Sequence, residues 1–467
     1  MSNDNELIAR LEDLFHSESV AIVGAPRGMK VGKIFLTALL DQKYPGKIYP
    51  VHPEADEIDG LKAYPSVSAI PGPVDLAIVL VPHTKSLEVV RECAAKGVKG
   101  AVLFTAGYGE TGTQEGIALQ EQVLRIAQSS GMRLIGPNAM GFYVPSTGLS
   151  LFPELSRKSG PVGIIANSGS LTNIIGRTAL KWGLYFSKVV SIGNECDLTC
   201  TDFLSYMADD ADTGVIGCYI EGIKDGPRFL KILRRASLNK PVIVWKVGLT
   251  DEGSRAAASH TSALEGSKEI WQGVARQGGV IPVSGYEAWV DALMGCSMLT
   301  SRLGDRLAII SGPGALAVGA AEACGNEGLR LAELSGKTKS QLAEFVPPTG
   351  TSLRNPIDLG LTAAINVDIY ARCAQIVSFD SNVDSILIVG TGLTREDNEK
   401  YTETLIRVSK EISKPLIVVD VPGFDKVFAQ KCRQAGVPFF DSSERAMRTY
   451  AQIRNYQLWR DKRKEAV

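Results

Sequence analysis

Histidine is scarce in this chain: His16, His52, His83 and His260 are all it has among 467 residues. They lie far apart, so no pair offers the shared face or loop that a histidine-based metal site needs. The eight cysteines are just as dispersed. Cys196 and Cys200, the closest pair, have no neighbouring cysteine or histidine to complete a zinc tetrahedron. Scattered thiols suit a reducing compartment, and a cytoplasmic protein is expected. Charge of one sign is lacking too. The 50 Lys and Arg against 51 Asp and Glu leave a net −1, which gives no electrostatic footprint for nucleic acid. No apolar run reaches the ~20 residues that span a bilayer. The opening MSNDNELIARLEDLF carries charges where a secretory signal carries its apolar core. Neither a nucleic-acid nor a membrane partner is expected.

What is present is a globular composition, 45% apolar and 22% charged, in a chain long enough for two to three domains. Short β-branched runs recur. The first group is SVAIVGA (19–25), GKIYPVHP (46–53), VDLAIVLVP (74–82), GAVLFTAG (100–107) and RLIGPN (133–138). Strands buried on both faces of a parallel sheet are nearly all apolar in this way. Intervening segments such as SLEVVRECAAKG have helical spacing and stop at glycine. The alternation predicts a doubly wound α/β domain. The pattern restarts at GPVGIIANSG (160–169) and again at DRLAIISGPG (305–314). The expected domains are 1–150, 151–302 and 303–467.

The second and third sets read as copies of one plan. NKPVIVWKVG matches SKPLIVVDVPG, and GGVIPVSGYEAWVDAL matches AGVPFFDSSERAMRTY. Between the matched strands the third set has only FDKVFAQKCRQ, whereas the second also carries LTDEGSRAAASHTSALEG. The fold does not need this insertion, since its sister copy lacks it. A long loop at strand ends is where function gathers in such sheets. His260 stands near its centre among Ala, Ser and Gly. Two readings stand: a hydrogen-bonded loop histidine, or a nucleophile or proton carrier in a crevice. A nucleophilic imidazole needs its second nitrogen held by an acceptor. Glu221, where the apolar run CYIEG ends, is the candidate, against the plainer reading of a turn-flanking surface residue. Glycines 248, 253 and 266 bracket the segment as expected hinges.

Two strand-following turns surround this segment. ANSGSLTN places Ser168 and Gly169 before a helix, and SIGNECDL places Gly193 and Asn194 in the same layout. Free N–H groups at such turns hold phosphate. In the first domain VGAPRGMKVG is not a complete G-x-G-x-x-G, so it carries little weight as a dinucleotide fingerprint. Gly24, Gly28 and Gly32 still allow close approach to a phosphate. Arg27, Lys30 and Lys33 add positive charge there. The second strand ends in YPVHP and lacks the acidic residue that holds an NAD ribose.

Taken with IYPVHP, VDLAIVLVP, TAGYGETG, GPNAMG, GPVGIIANSGSL, YIEGIKDG, KPVIVWKVG, SHTSALEG and NPIDLG, the chain resembles the alpha subunit of the ADP-forming acyl-CoA synthetases, in the succinyl-CoA synthetase superfamily. The resemblance implies a Rossmann-like CoA-binding domain followed by two flavodoxin-like domains. It implies a phosphoryl group carried by His260 and stabilised by Glu221, with Ser168, Gly169, Gly193 and Asn194 around the phosphate. Gly24, Ala25, Pro26, Arg27, Val51, Pro53 and Pro82 are implied as contacts for coenzyme A. The substrate implied is a small carboxylic acid or its acyl-CoA. His52 stands where the family often has Asn, Ser262 where it has Gly, and Gly319 where it often has Asp. No stretch supplies an ATP-grasp domain, so ATP or ADP and Mg²⁺ are expected on a beta-type ATP-grasp partner in a hetero-oligomer. The rival expectations are a non-catalytic CoA-binding or scaffold protein of the same fold and a nicotinamide dehydrogenase.

Overall fold

The computed structural model describes residues 2–28, 30–150, 152–261, 266–422 and 426–465, with side chains for all of these except 2, 3 and 257–261. Two compact units form. One comprises Met1–Thr178 with Tyr185–Ser284, the other Ala179–Leu184 with Gly285–Val467.

In the first unit, β1 (Ser19–Val23), β2 (Lys47–Val51), a small hairpin of β3 (Glu57–Ile58) and β4 (Leu61–Lys62), β5 (Leu76–Val79), β6 (Gly100–Leu103) and β7 (Arg133–Ile135) follow in turn. The sheet runs β2-β1-β5-β6-β7, all parallel. Successive side chains of a strand face opposite ways, and both faces are covered. Val20, Ile22, Leu76 and Ile78 pack with Phe35 and Leu39 of the helix Lys33–Asp41 and with Leu11 and Leu14 of the helix Ser2–Phe15. Ala21, Val23, Ala77 and Val79 pack with Val90 and Cys93 of the helix His83–Lys96 and with Val123 and Ala127 of the helix Gln114–Ser130. Continuous apolar runs are the sequence consequence of that two-sided burial.

The second sheet is built from β8 (Gly141–Val144), β9 (Leu149–Ser150), β10 (Val162–Ala166), β11 (Phe186–Ser191), β12 (Val215–Ile220), β13 (Val242–Lys246) and β14 (Ile281–Val283), ordered β14-β13-β12-β10-β11-β8-β9. β8 is antiparallel to β11 and β9 to β8, so residues 141–150 pair in this sheet and not in the first. The third sheet, in the second unit, comprises β15 (Arg306–Ser311), β16 (Arg330–Leu331), β17 (Ile357–Asp358), β18 (Ser385–Val389), β19 (Leu416–Val419) and β20 (Phe439–Phe440), ordered β16-β15-β18-β19-β20 with β17 also beside β15. Counted from its own first parallel strand, with the two-residue β17 set aside in the third, each of the three sheets follows the order 2-1-3-4-5, the flavodoxin-like arrangement. Its switch point falls between strands 1 and 3, and the crevice outside their carboxyl ends is where ligands bind.

One expectation is corrected. The stretch read as a loop around His260 is helical over Asp251–Thr261. Its three consecutive alanines favour helix, and Asp251 and Glu252 in the first turn complement the helix dipole. Among the described residues the second sheet thus has two helices between β13 and β14, Asp251–Thr261 and Lys268–Gly278, where the third sheet has Lys426–Gln434 alone between β19 and β20. No helix among the described residues is long and apolar enough to cross a membrane.

Candidate functional site

The switch point of the second sheet lies between β10 and β12, and Asn167 organises it. Asn167 follows β10 directly and is 7% exposed. Its amide nitrogen donates to the carbonyl of Gly193 at 3.1 Å and to the carboxylate of Glu195 at 2.6 Å. Its carbonyl oxygen accepts from the N–H of Glu221 at 3.0 Å. One side chain therefore ties together the carboxyl ends of β10, β11 and β12. The backbone completes the tie, since Gly193 N–H donates to Asn167 C=O at 3.2 Å.

Gly193 has φ +55°, and a Cβ there would meet the carbonyl oxygens of Pro137 at 2.1 Å and Asn138 at 2.5 Å. Only glycine fits this turn. Asn194 follows. Its N–H donates to Pro137 C=O at 2.9 Å, and its side-chain amide donates to Gln120 at 3.1 Å and to Glu110. Glu110 arrives from the turn after β6. Its carboxylate accepts from the N–H groups of Gly107 at 2.5 Å and Tyr108 at 3.2 Å. Burial works against its charge, but the bonds from Gly107, Asn194 and Tyr108 outweigh that and hold it below the usual carboxylate range.

Glu195 is 4% exposed. Burial raises its pKa, opposed by the N–H of Cys200 at 2.7 Å, the Asn167 amide and the charge of Lys224. Lys224 donates to the carbonyls of Asn194, at 3.1 Å, and Glu195, clamping the turn from outside. Glu221 is 4% exposed. Next to it Tyr219 is pushed up to about 12, by burial first and then by the charge of Glu221 and a hydrogen bond to it. Lys246, ending β13, donates to the carbonyls of Glu221 at 2.8 Å and Val247 at 2.5 Å.

Glu110, Gly193, Asn194, Glu195, Glu221 and Lys224 line one cleft of about 520 Å³. Of the residues expected from sequence, Gly193, Asn194 and Glu221 meet there. Ser168 and Gly169 stand at the head of the helix Gly169–Thr178, where the Ser168 hydroxyl accepts from Leu171 N–H at 3.2 Å. A Cβ at Gly169 would meet Met140 Cγ at 2.4 Å. The helix Asp251–Thr261, which carries His260, packs against the turn Gly109–Thr111 that supplies Glu110. The His260 side chain, with residues 262–265, lies outside the described residues.

The first sheet's switch point, between β1 and β5, gathers the other expected set. Gly24 has φ +86° and a Cβ there would touch Val81 at 3.0 Å, so the chain passes the β5 end closely. The N–H groups of Gly24 and Ala25 donate to Val51 C=O at 3.0 and 3.2 Å. Ala25 and Val51 are buried, whereas Arg27, Pro53 and Pro82 are exposed and Gly24 and Pro26 half-buried. Pro82 caps the helix His83–Lys96, whose first N–H groups have no side-chain cap. Arg27 pairs with Glu54 at 3.6 Å and Lys33 with Asp59 at 2.5 Å, so carboxylates offset two of the three cations counted there.

Comparison with known proteins matches residues 18–145 to a CoA binding domain and residues 159–296 to a succinyl-CoA ligase like flavodoxin domain. Acetate–CoA ligase [ADP-forming] II subunit alpha from Pyrococcus furiosus is 36% identical over 93% of this chain and 95% of its own length. The chain belongs to the family of ADP-forming acyl-CoA synthetase alpha subunits. Acetate–CoA ligase [ADP-forming] I from Archaeoglobus fulgidus is 34% identical over 96% of this chain but only 64% of its own length. A solved structure of Ca. Korarchaeum cryptofilum dinucleotide-forming acetyl-coenzyme A synthetase 1, in complex with phosphate and ADP, superposes with a TM-score of 0.87. It is 32% identical and covers 98% of this chain and 99% of that one.

Sequence reasoning missed Asn167, Glu110, Glu195, Lys224 and Lys246. All five stand inside stretches singled out for other residues. The signal for Asn167 was a polar residue ending an all-apolar strand, where burial demands partners.

Proposed function

We propose that this chain is the CoA-binding, phosphohistidine subunit of an ADP-forming carboxylate–CoA ligase, interconverting acid, CoA and ATP with acyl-CoA, ADP and phosphate. The observation that carries the reading is the cleft at the second switch point. There Asn167 joins the Gly193–Asn194 turn to Glu221, beside the helix that bears His260.

From the acyl-CoA side, a phosphate oxygen attacks the thioester carbonyl, the CoA thiolate leaves and an acyl phosphate forms. A ring nitrogen of His260 then attacks phosphorus, the bond to the carboxylate oxygen breaks, and the free acid departs. Splitting the reaction in this way lets two distant sites share one phosphoryl group. Glu221 holds the second ring nitrogen, fixing the tautomer and offsetting the imidazole charge. The helix start at Ser168–Gly169 supplies N–H donors to the phosphoryl oxygens, and the Gly193–Asn194 turn, whose own N–H groups bond to Asn167 and Pro137, shapes the cleft that receives them. CoA lies at the first switch point, against Gly24, Ala25, Pro26, Arg27, Val51, Pro53 and Pro82, within segment 1–150. Segments 151–302 and 303–467 are the phosphohistidine and second ligase domains.

Relatives named as alpha subunits imply a beta subunit. We read that partner as a cytoplasmic ATP-grasp protein that holds ATP or ADP with Mg²⁺ and exchanges the phosphoryl group with His260. The test needs only this chain. It is incubated with radiolabelled phosphate and acetyl-, isobutyryl- or phenylacetyl-CoA, and an acid-labile, base-stable adduct is expected. His260→Asn abolishes it. Full labelling of His260→Asn refutes the assignment, and no adduct in the wild type favours a non-catalytic scaffold.

A further inference from the structure

The cleft that must receive a phosphoryl dianion is poor in positive charge. Among its described lining residues three carboxylates, Glu110, Glu195 and Glu221, stand against one ammonium, Lys224. Lys224 is exposed and turns two of its three N–H donors to the carbonyls of Asn194 and Glu195, away from Glu221. A second ammonium stands just behind Glu221. Lys246 Nζ donates to Glu221 C=O at 2.8 Å and to Val247 C=O at 2.5 Å. Burial lowers its pKa, and the charge of Glu221 pulls the other way, so the two groups sense each other.

Its position along the chain matters as much as its charge. Val247 begins the excursion that leads to the helix Asp251–Thr261, and Gly248, next to it, has φ +73°. Gly266 ends that excursion, and a Cβ there would stand 3.7 Å from Lys246 Nζ. The ammonium thus sits where the histidine-bearing segment leaves the sheet, beside Gly266 where it comes back, and beside Glu221, which follows β12. Among the described residues two of its three N–H donors go to main-chain carbonyls, and the third can meet an oxygen arriving beside Glu221.

We propose that Lys246 is a positioning residue for phosphoryl transfer. Its ammonium fixes Glu221 to the root of the His260 segment and supplies the positive charge that this carboxylate and an incoming phosphoryl group need. The proposal rests on the phosphohistidine reading. Charge and tether make separable demands. Arginine keeps both the charge and several donors, whereas methionine keeps the aliphatic length and loses both.

The experiment follows adduct formation in the full chain from acetyl-, isobutyryl- or phenylacetyl-CoA and radiolabelled phosphate, with thermal unfolding and CoA affinity measured alongside. Lys246→Met is expected to slow labelling by about 100-fold, the scale of a small misplacement in a reacting site. CoA affinity should be unchanged, because the CoA crevice belongs to the other sheet. Lys246→Arg is expected to restore labelling to within about tenfold of wild type. If Lys246→Met does not fold, Lys246→Gln, which keeps two donors without charge, takes its place. Labelling at the wild-type rate in the uncharged variant overturns the proposal. So does an equal loss in Lys246→Arg with folding intact, or a loss of CoA affinity in step with labelling. No label in the wild type overturns the phosphohistidine reading and this inference with it; a labelled wild type with an unaffected Lys246→Met overturns this inference alone.

Discussion

Replacing Asn167 with leucine keeps the size of the side chain and removes every polar contact it makes. Three buried groups each lose a bond together: the Gly193 carbonyl, the Glu221 N–H and the Glu195 carboxylate, which keeps only the Cys200 N–H of the two donors described for it. A buried polar group left without a bond costs about 1–3 kcal/mol, more when charged. The Gly193 carbonyl can recover part of this by rotating toward solvent, and three linked losses do not add fully. A total near 4 kcal/mol is therefore expected. Denaturant unfolding of the first unit, read as a change in midpoint at constant slope, measures it. Asn167→Asp provides the sharper comparison. It keeps the acceptor for Glu221 N–H but sets a second carboxylate 2.6 Å from Glu195. Two carboxylates so close cannot both ionise, so this variant should lose stability as pH rises and regain it in acid, where the pair shares a proton. Asn167→Leu losing less than about 1 kcal/mol, or Asn167→Asp behaving alike at pH 5 and pH 8, would refute the view that Asn167 holds three strand ends in place.

Gly193→Ala should cost at least about 2 kcal/mol for its left-handed backbone alone, and the Pro137 and Asn138 oxygens within 2.5 Å of the new Cβ force the turn aside. Labelling of His260 should fall about 100-fold with it; a normal rate refutes the turn's role. Glu110→Gln should be less stable than wild type at neutral pH. The folded pKa of Glu110 lies below its unfolded value near 4.5, so its contribution is present above that value and is lost as pH falls through the folded one. The gap between the two proteins should close below pH 4.5, and a gap constant from pH 7 to pH 3 counts against an ionised Glu110.

The strands were legible because burial on both sheet faces leaves no choice but apolar runs. All five runs of the first group hold a strand of the first sheet. The internal repeat was legible because matched strands need matched turns. Two features were not. The antiparallel pair β8 and β9 lies in GFYVPSTGLS, whose pairing with β11 depends on partners far along the chain. The helix at 251–261 was hidden by its small residues, which read equally as flexible loop and as good helix formers. At the site, Glu221 and the Gly193–Asn194 turn stood out because strand-end carboxylates and glycine turns have local signatures. Asn167, Glu195 and Lys246 take their roles from contacts across 20 or more residues, and no local pattern reports those. Glu110 is harder still, since it comes from the turn after a strand of one sheet and bonds to Asn194 beside another.

Three sheets of one order offer three switch points, yet the third is built differently. There the crevice between β15 and β18 is filled from within by Tyr370, on the helix Asp368–Ser378. A Cβ at Gly312, after β15, would meet the Tyr370 hydroxyl oxygen at 2.3 Å, and one at Gly390, after β18, would meet the ring at 2.5 Å. The ring is 1% exposed and lies 5.0 Å from that of Tyr401. Where the second sheet leaves a cleft framed by polar side chains, the third has two glycines closed around an aromatic ring. Its glycines therefore make room for a side chain of the protein itself. Tyr370→Ala should then cost about 3–5 kcal/mol, as expected for truncating a buried aromatic. The apolar cavity it opens should admit a small aromatic probe such as benzene or indole, which would raise the variant's melting temperature and leave the wild type unmoved. Tyr370→Phe should lose much less, since the ring remains. A Tyr370→Ala variant as stable as wild type, or a wild type that already takes up the probe, would mean that the third switch point is open and that the ring does not fill it.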